Sequence, residues 1–269
     1  MSAFTNHFAF EFRSGTRDKT LLMMNYLFPL GLYLLLGFMV TGIDPTFSEK
    51  IIPAMIIIAI MSSTILSMPS PQVKAREDGI FRSYRVNGVP AISILSMPAL
   101  TTIIHMVIVA AIITATAPLL FKAPLPANWA AFILFFLLTA FIFAGMGMLI
   151  SVISNSIQSV VLWSQVIFIP SMMLGGLTFP DSFLPEVLAR IGKLLPAIYS
   201  MKIYQGLAMN YETTFNPLWS IIILLTGGVL SYVLANYLFC WDTQNSTRRG
   251  HRALAVIALV PLILGSTLL

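Results

Sequence analysis

Residues 51–68 read IIPAMIIIAIMSSTILSM, eighteen consecutive residues without a charged side chain. A helix of that length can cross the hydrocarbon core of a bilayer, which is about 30 Å thick. Comparable apolar runs lie on both sides of it, and none of them contains Asp, Glu, Lys or Arg. Because a charge in hydrocarbon is costly, this separation predicts an all-α integral membrane protein.

The composition of the whole chain agrees with this prediction. Of its 269 residues, 58% are hydrophobic and only 9% are charged, which is too few to form the charged shell of a soluble domain. A seventh run, Ala253–Leu269, is at the lower limit of length; we expect it to span, with a position in the interface as the alternative. The apolar runs predict six full spans, at 21–41, 51–68, 91–119, 129–153, 157–177 and 218–239.

The distribution of Lys and Arg sets the expected orientation. With the N-terminus in the cytoplasm, ten of them fall on the cytoplasmic side and five outside, as the positive-inside rule requires. The ten are Arg13, Arg17, Lys19, Lys74, Arg76, Arg82, Arg85, Arg248, Arg249 and Arg252, and the five are Lys50, Lys122, Arg190, Lys193 and Lys202. We expect a multi-pass protein of a cell membrane, such as a bacterial or archaeal inner membrane, whose basic segments contact anionic lipid and not nucleic acid.

The segment before the first span predicts an interfacial helix over residues 1–19. Phe4, Phe8 and Phe12 recur every four residues, and basic side chains gather where the first span begins. This pattern suits an amphipathic helix that lies in the cytoplasmic interface. A disordered basic leader is the alternative interpretation.

Two connections between spans are long enough to carry structure of their own. The cytoplasmic connection, 69–90, holds the only dense cluster of charges between two spans. The outer connection, 178–217, predicts one helix beginning at Pro185, because proline suits the first helical turn. Pro196 should end that helix, and Ala197–Met209 is expected to form a second short one.

Both connections resemble segments of a known family. The segment KAREDGIFRSYRVNGVP, Lys74–Pro90, resembles the cytoplasmic loop of ABC-2 type permeases, the membrane subunits of one class of ATP-driven exporter. The segment GGLTFPDSFLPEVLARIGKLLPAIYSMKIYQGL, Gly175–Leu207, resembles the outer re-entrant helices of that family, here marked by Pro180, Pro185 and Pro196. The resemblance implies a six-span ABC-2 exporter-type transmembrane domain over 1–240, followed in 241–269 by a basic segment and the C-terminal hydrophobic helix.

The resemblance also implies that the cytoplasmic loop is a coupling helix seated in a groove of a nucleotide-binding subunit. Such a loop should be a short rigid helix, and we expect Phe81 to fill an apolar depression of the partner while Glu77 and Asp78 face its basic groups. The alternative is an ordinary solvated loop. The residues assigned to coupling are Lys74, Arg76, Glu77, Asp78, Phe81, Arg82, Tyr84 and Arg85.

A phosphate-binding loop is missing from the sequence. The one Gly-Lys pair, Gly192–Lys193, is followed by Leu194 instead of Ser or Thr. We therefore expect no catalytic, cofactor or metal site in this chain, and ATP with Mg²⁺ on a separate ATPase. The resemblance implies two permeases over two ATPases, with the permeases forming a homodimer or a heteromeric pair.

The substrate path is predicted on the second and fifth spans, which border the translocation route in the resembled family. Two glutamines and a methionine of the fifth span repeat every seven residues and so stay near one face, while serines of the second span lie among adaptable methionines. Each set has a plain alternative in helix packing. The candidate residues are Ser62, Ser63, Ser67, Gln158, Gln165 and Met172.

The expected cargo is a hydrophobic or amphipathic drug, lipid or peptide, and a polysaccharide or lipid-linked glycan is the alternative. An ion-coupled secondary transporter would keep a carboxylate at mid-membrane, and a membrane-embedded enzyme would need clustered catalytic groups. The predicted spans hold neither. They hold His105, for which we expect a structural role with Thr101 or Thr102 as its partner, and a role in transport is the alternative.

Overall fold

The computed structural model describes residues 3–178, 185–214, 216–242 and 250–268, and within these ranges it is helical with no β-strand. The predicted all-α, six-span fold is confirmed. The second span is longer than predicted, because the helix continues past Pro69 into the charged connection. In the described part of the chain, six helices are long and apolar enough to cross a membrane: Lys19–Ile43, Ile51–Glu77, Ala91–Phe121, Trp129–Ile153, Ile157–Leu174 and Pro217–Leu238.

The shorter helices lie at the two ends of this bundle. The end that carries the N-terminal helix, Ala3–Arg17, and the loop helix, Ile80–Val86, is called the loop end. At the opposite end, helix Glu186–Gly192 packs against the fifth span, and helix Pro196–Ile203 packs against the sixth. Pro185 and Pro196 directly precede and begin these two helices, whereas Pro180 lies outside the described residues.

The second span is the centre of the bundle, and the fifth span is at its edge. Every residue of Ile51–Met61 is buried. In the fifth span, the buried residues fall on one stripe, Val160, Ser164, Phe168 and Ser171. Spacings of three and four residues put them on a single helix face. The fifth span therefore packs through one face and leaves most of its surface uncovered in this chain.

The first and second spans each contain a π-helical turn near the loop end, Met23–Leu27 and Ser62–Ser67, and the two turns pack against each other. A π turn disturbs the regular hydrogen bonding of a helix and is common at functional sites. Ser164 of the fifth span donates to the carbonyl oxygen of Ile65 at 2.7 Å. Gly147 brings the fourth span against the carbonyl oxygen of Thr64, where a Cβ atom would collide.

A C-terminal segment runs along the sixth span, as a 3₁₀ helix over Arg252–Leu259 and an α-helix over Val260–Leu268. A Cβ built at Gly250 would touch Tyr237, near the loop end of the sixth span. One built at Gly265 would touch Ile223, much nearer the opposite end. At roughly 2.0 Å per 3₁₀ residue and 1.5 Å per α-helical residue, the segment is about 30 Å long. Its crossing of the membrane stays a prediction.

Candidate functional site: the loop end

The charged connection is a helix-turn-helix, as a rigid loop requires. The second span ends at Glu77, and Gly79 turns the chain with φ of +75° before the loop helix begins at Ile80. Glycine adopts this left-handed conformation without steric cost. The turn aims the loop helix back toward the bundle, so its two faces have different surroundings.

Arg76 is part of the bundle and not of the exposed surface of the loop. Its side chain is 2% exposed, and Nη1 donates to the carbonyl oxygens of Ser151 and Val152 at 3.2 and 3.4 Å, while Nη2 donates to that of Ser154. These carbonyls lie at the C-terminus of the fourth span, where a helix lacks its own donors and carries partial negative charge. The assignment of Arg76 to a docking surface is therefore wrong, because its guanidinium caps the fourth span.

Phe81 is also turned inward. Its side chain is 4% exposed, and its ring centroid lies 5.8 Å from that of Phe239, which follows the sixth span, and 6.5 Å from that of Tyr84. The expectation that Phe81 fills a depression of a partner is wrong, because the ring is already covered by this chain. Its position joins the loop helix to the end of the sixth span.

Two polar interactions also link the loop helix to other parts of the chain. Arg82 forms an ion pair with Asp242, beyond the sixth span. Tyr84 lies near Glu11 of the N-terminal helix: burial and the charge of Glu11 together raise the pKa of the Tyr84 hydroxyl. Burial likewise raises the pKa of the Glu11 carboxyl. The loop helix is thus joined to the N-terminal helix and to the chain that follows the sixth span.

The outward surface of the connection is charged, with one prominent apolar side chain. Val86 is 83% exposed at the end of the loop helix. At about 100° per residue, its position is turned about 140° from that of Phe81, so helical spacing separates the inward ring from the outward valine. The sequence analysis missed Val86 although this spacing was available. The exposed charged residues of the connection are Lys74, Glu77, Asp78, Arg82 and Arg85.

A cavity of about 780 Å³ opens beside the loop, between the N-terminal helix and the first, second and fifth spans. Of the predicted substrate-path residues, Ser67 and Gln165 line this cavity. Its apolar wall includes Met24, Phe28 and Phe168. A chamber of this size can hold most of a drug-sized molecule.

The other predicted path residues lie elsewhere. Ser62 and Ser63 are fully buried in the bundle, and Ser62 donates to the carbonyl oxygen of Ala59 at 2.9 Å. Gln158 is exposed on the fifth span outside the cavity lining, and Met172 packs against the hydrophobic core. The seven-residue spacing does keep Gln158, Gln165 and Met172 near one face of the fifth span. Of these three residues, however, only Gln165 lines the cavity. Of the predicted path residues, Ser67 and Gln165 thus border the cavity, and the role of the whole set in transport stays a prediction.

A smaller polar cavity of about 100 Å³ adjoins the first, and the two share Glu11, Asp18, Ser67 and Gln72 in their walls. Asn25 also lines the smaller cavity. Within the described residues, Asn25 Oδ1 and Ser67 Oγ are buried without a hydrogen-bond partner. Sequence reasoning missed Asn25, because a single amide in an apolar run does not show which neighbour it will meet.

His105 of the third span lies in the wall of the smaller cavity. Its Nδ1 atom is 2.6 Å from the hydroxyl of Tyr26, and its ring stacks on Phe12 with centroids 5.3 Å apart. The expected partner, Thr101 or Thr102, is wrong, because the hydrogen bond comes from the first span. The imidazole joins the N-terminal helix to the first and third spans, and the structural role expected for it stays a prediction. Among the described residues, His, Cys, Asp and Glu form no group that could hold a metal ion.

Comparison with known protein families identifies the family of this chain. A family model described as ABC-2 type transporter matches residues 4–209. The match includes the N-terminal helix, the first five spans, the loop helix and both helices at the opposite end. A comparison with curated proteins finds no match.

Proposed function

Because the chain belongs to the ABC-2 type transporter family, we propose that it exports hydrophobic or amphipathic molecules with ATP hydrolysed by a separate subunit. Membership makes it a multi-pass membrane protein and the permease subunit of an ABC transporter. In the proposed assembly, two permeases, identical or paired with a related chain, stand over two ATPase subunits. ATP and Mg²⁺ bind to the ATPases.

The observation that carries this proposal is the two-sided loop helix. Its inward side contacts the chain after the sixth span through Phe81, and Tyr84 lies near Glu11 of the N-terminal helix, while Arg76 just before it caps the fourth span. A push on the outward side therefore acts on several parts of the bundle at once. This is what a transport subunit needs if the energy arrives from another protein.

The proposed docking surface is the outward side of the loop: Val86 supplies apolar contact, and Arg85, Glu77 and Asp78 supply charge. Apolar contact surrounded by polar groups is the usual anatomy of a protein interface. The loop end is then cytoplasmic, which agrees with the excess of Lys and Arg there. The cell membrane is the proposed location.

The large cavity supports an amphipathic substrate over a long glycan. Its wall is mostly apolar, with side chains such as Leu66 and Val161 between the polar ones. Burial of apolar surface favours a ligand with an apolar body, whereas a glycan needs many hydrogen-bonding groups along its path. Its place beside the loop would let a substrate enter from the cytoplasm or the inner leaflet.

Reconstitution tests the function directly. The permease and the ATPase that copurifies with it are placed in inside-out vesicles, and uptake of dansyl-dodecylamide, a neutral amphipathic probe, is followed by fluorescence. Uptake should require ATP and should stop when the phosphate-binding lysine of the ATPase is replaced. Uptake by the permease alone, driven by a proton gradient, would instead indicate a secondary transporter.

Cysteine labelling tests the orientation. In a Cys240→Ser background, Ser83→Cys should react with a membrane-impermeant maleimide only from the cytoplasm and Val187→Cys only from outside. The reverse pattern would invert the proposed topology. A tag after Leu269 should be accessible from outside, because the C-terminal segment is expected to span.

A further inference from the structure

Two residues in the wall of the smaller cavity carry buried polar atoms that form no hydrogen bond. Asn25 and Ser67 are each 6% exposed, and neither Asn25 Oδ1 nor Ser67 Oγ has a hydrogen-bond partner among the described residues. They come from the two π turns that pack against each other. A buried polar atom without a partner costs free energy, so these two atoms in one cavity indicate a polar ligand. Asn25 Oδ1 can only accept a hydrogen bond, whereas the Ser67 hydroxyl can accept or donate one.

The charge around the two cavities is negative, although the chain as a whole has a net charge of +5. Glu11 and Asp18 line both cavities, and Asp78 lines the larger one. Lys74 is the one Lys or Arg among the described lining residues. Asp18 Oδ1 accepts from the backbone N–H groups of Thr20 and Leu21, which fixes this carboxylate at the start of the first span.

The larger cavity supplies the complementary apolar surface. Met24 and Phe28 of the first span face it together with Leu66 of the second and Phe168 of the fifth. The polar cavity adjoins this apolar chamber, and residues such as Ser67 and Gln72 belong to the walls of both. The combined site is thus apolar over most of its volume and rich in acceptors and negative charge at one place.

We propose that this permease selects amphipathic cations. The ammonium group of the ligand occupies the polar cavity and donates to Asn25 Oδ1 and Ser67 Oγ, with Glu11 and Asp18 balancing its charge, while the apolar body occupies the larger cavity. This inference rests on the proposed function, because it names the substrate class of the same permease.

Electrostatics separates the ligand classes. A cation removed from water needs counter-charge and acceptors, and both are present here. An anion of the same shape would meet the two carboxylates and the carbonyl oxygen of Asn25, and a neutral alcohol would bring a single donor and no charge. The site therefore ranks cation above alcohol and alcohol above anion.

Three probes with one apolar body test this ranking: pyrenebutylamine, pyrenebutanol and pyrenebutyrate. The full-length permease is placed in nanodiscs of phosphatidylcholine and phosphatidylglycerol, and binding is followed by energy transfer from tryptophan to pyrene, with protein-free nanodiscs correcting for partition. Equilibrium binding needs no ATPase, so a failure here is distinct from a failure of ATP-driven export. The amine should bind about tenfold more tightly than the alcohol, and the carboxylate weakest of all.

Substitutions in the cavity wall, each with a control elsewhere in the chain, test whether these residues cause the preference for the amine. Ser67→Ala and Glu11→Gln should each reduce the preference for amine over alcohol from about tenfold to none, and an unchanged unfolding midpoint of each variant shows that its fold is intact. Ser220→Ala is the control for the serine, because Ser220 is also fully buried with an unpartnered hydroxyl but lies on the sixth span, outside both cavities. Glu186→Gln, at the opposite end, is the control for the carboxylate.

Two results of these binding experiments would contradict the proposal. Equal affinity for amine and carboxylate in the unchanged protein would overturn the proposal, as would a preference for the amine that survives both variants. Addition of phosphatidylethanolamine to the nanodiscs identifies the source of the ammonium group. Competition with pyrenebutylamine would support the site with a lipid headgroup as the ligand, and no competition would support it with a free amphipathic amine.

Discussion

The inward and outward sides of the charged connection have very different surroundings. On the inward side, Arg76 and Phe81 are almost fully buried and contact the fourth span and the chain after the sixth. On the outward side, Val86 and the charged residues Glu77 and Arg85 are exposed to solvent. The two sides are only a few residues apart in sequence, yet one belongs to the core and the other to the surface.

This difference indicates two tasks: the inward side transmits motion of the loop to the spans, and the outward side binds the partner subunit. Inward contacts hold the loop helix rigidly to the bundle, so that a displacement of the loop must move the spans. Outward residues such as Glu77, Arg85 and Val86 can change without disturbing the fold, because their side chains are exposed. Substitutions on the two sides should therefore fail in different ways: inward ones in stability, outward ones in partner binding.

The largest effect is expected at Arg76. Arg76→Met removes the donors of three carbonyl groups at the C-terminus of the fourth span, in a place closed to water. We expect a loss of about 3 kcal/mol in unfolding free energy, because each unsatisfied buried carbonyl is destabilising. Thermal unfolding of the purified permease measures it. Lys74→Met, on the exposed side of the same helical turn, should change stability by less than about 0.5 kcal/mol, and equal effects would contradict the division into two sides.

A smaller loss is expected at Phe81. Phe81→Ala leaves a hole between the loop helix and Phe239, and at this edge of the bundle we expect a cost of about 2 kcal/mol, below the range for central phenylalanines. The paired control is Val86→Ala, which removes exposed atoms and should leave the unfolding midpoint unchanged. A stable Phe81→Ala protein together with an unstable Val86→Ala protein would reverse the assignment of the two sides.

How far the sequence predicts this arrangement depends on the range of the interactions involved. Apolar runs predict the spans, because the bilayer acts on each segment separately. Gly79 predicts a turn for a similarly local reason. The burial of Arg76 depends on the end of the fourth span, about 75 residues away, and no local pattern contains that information.

The candidate substrate site shows the same limit. Ser67 and Gln165 were found from residue type, but their companions Glu11, Asp18 and Asn25 were not, because they come together only through the packing of two π turns and the N-terminal helix. The end of the second span was misjudged for a local reason. Pro69 was expected to begin a loop, whereas it follows a π turn and stands at the first position of a continuing helix, where its missing N–H is tolerated.

The smallest effect is expected at the ion pair between Arg82 and Asp242. Arg82 is more than half exposed, so the pair is weakened by solvent and by salt. Asp242→Asn should lower the unfolding free energy by about 0.5 kcal/mol at low salt and by less at high salt. Differential scanning fluorimetry at two salt concentrations measures it. A loss as large as that of Arg76→Met would mean that this pair, and not the cap on the fourth span, fixes the loop.

Association with the ATPase tests the central claim, that the outward side of the loop receives the energy for transport. Val86→Asp is compared with Val187→Asp, an equally simple change of a valine that is 69% exposed at the opposite end. With both proteins folded to the same unfolding midpoint, Val86→Asp should weaken binding of the purified ATPase by at least about tenfold and abolish ATP-driven uptake, because it places a charge at an apolar contact. Val187→Asp should change neither. Unchanged ATPase binding and transport in Val86→Asp would contradict the account and make the loop a passive connector.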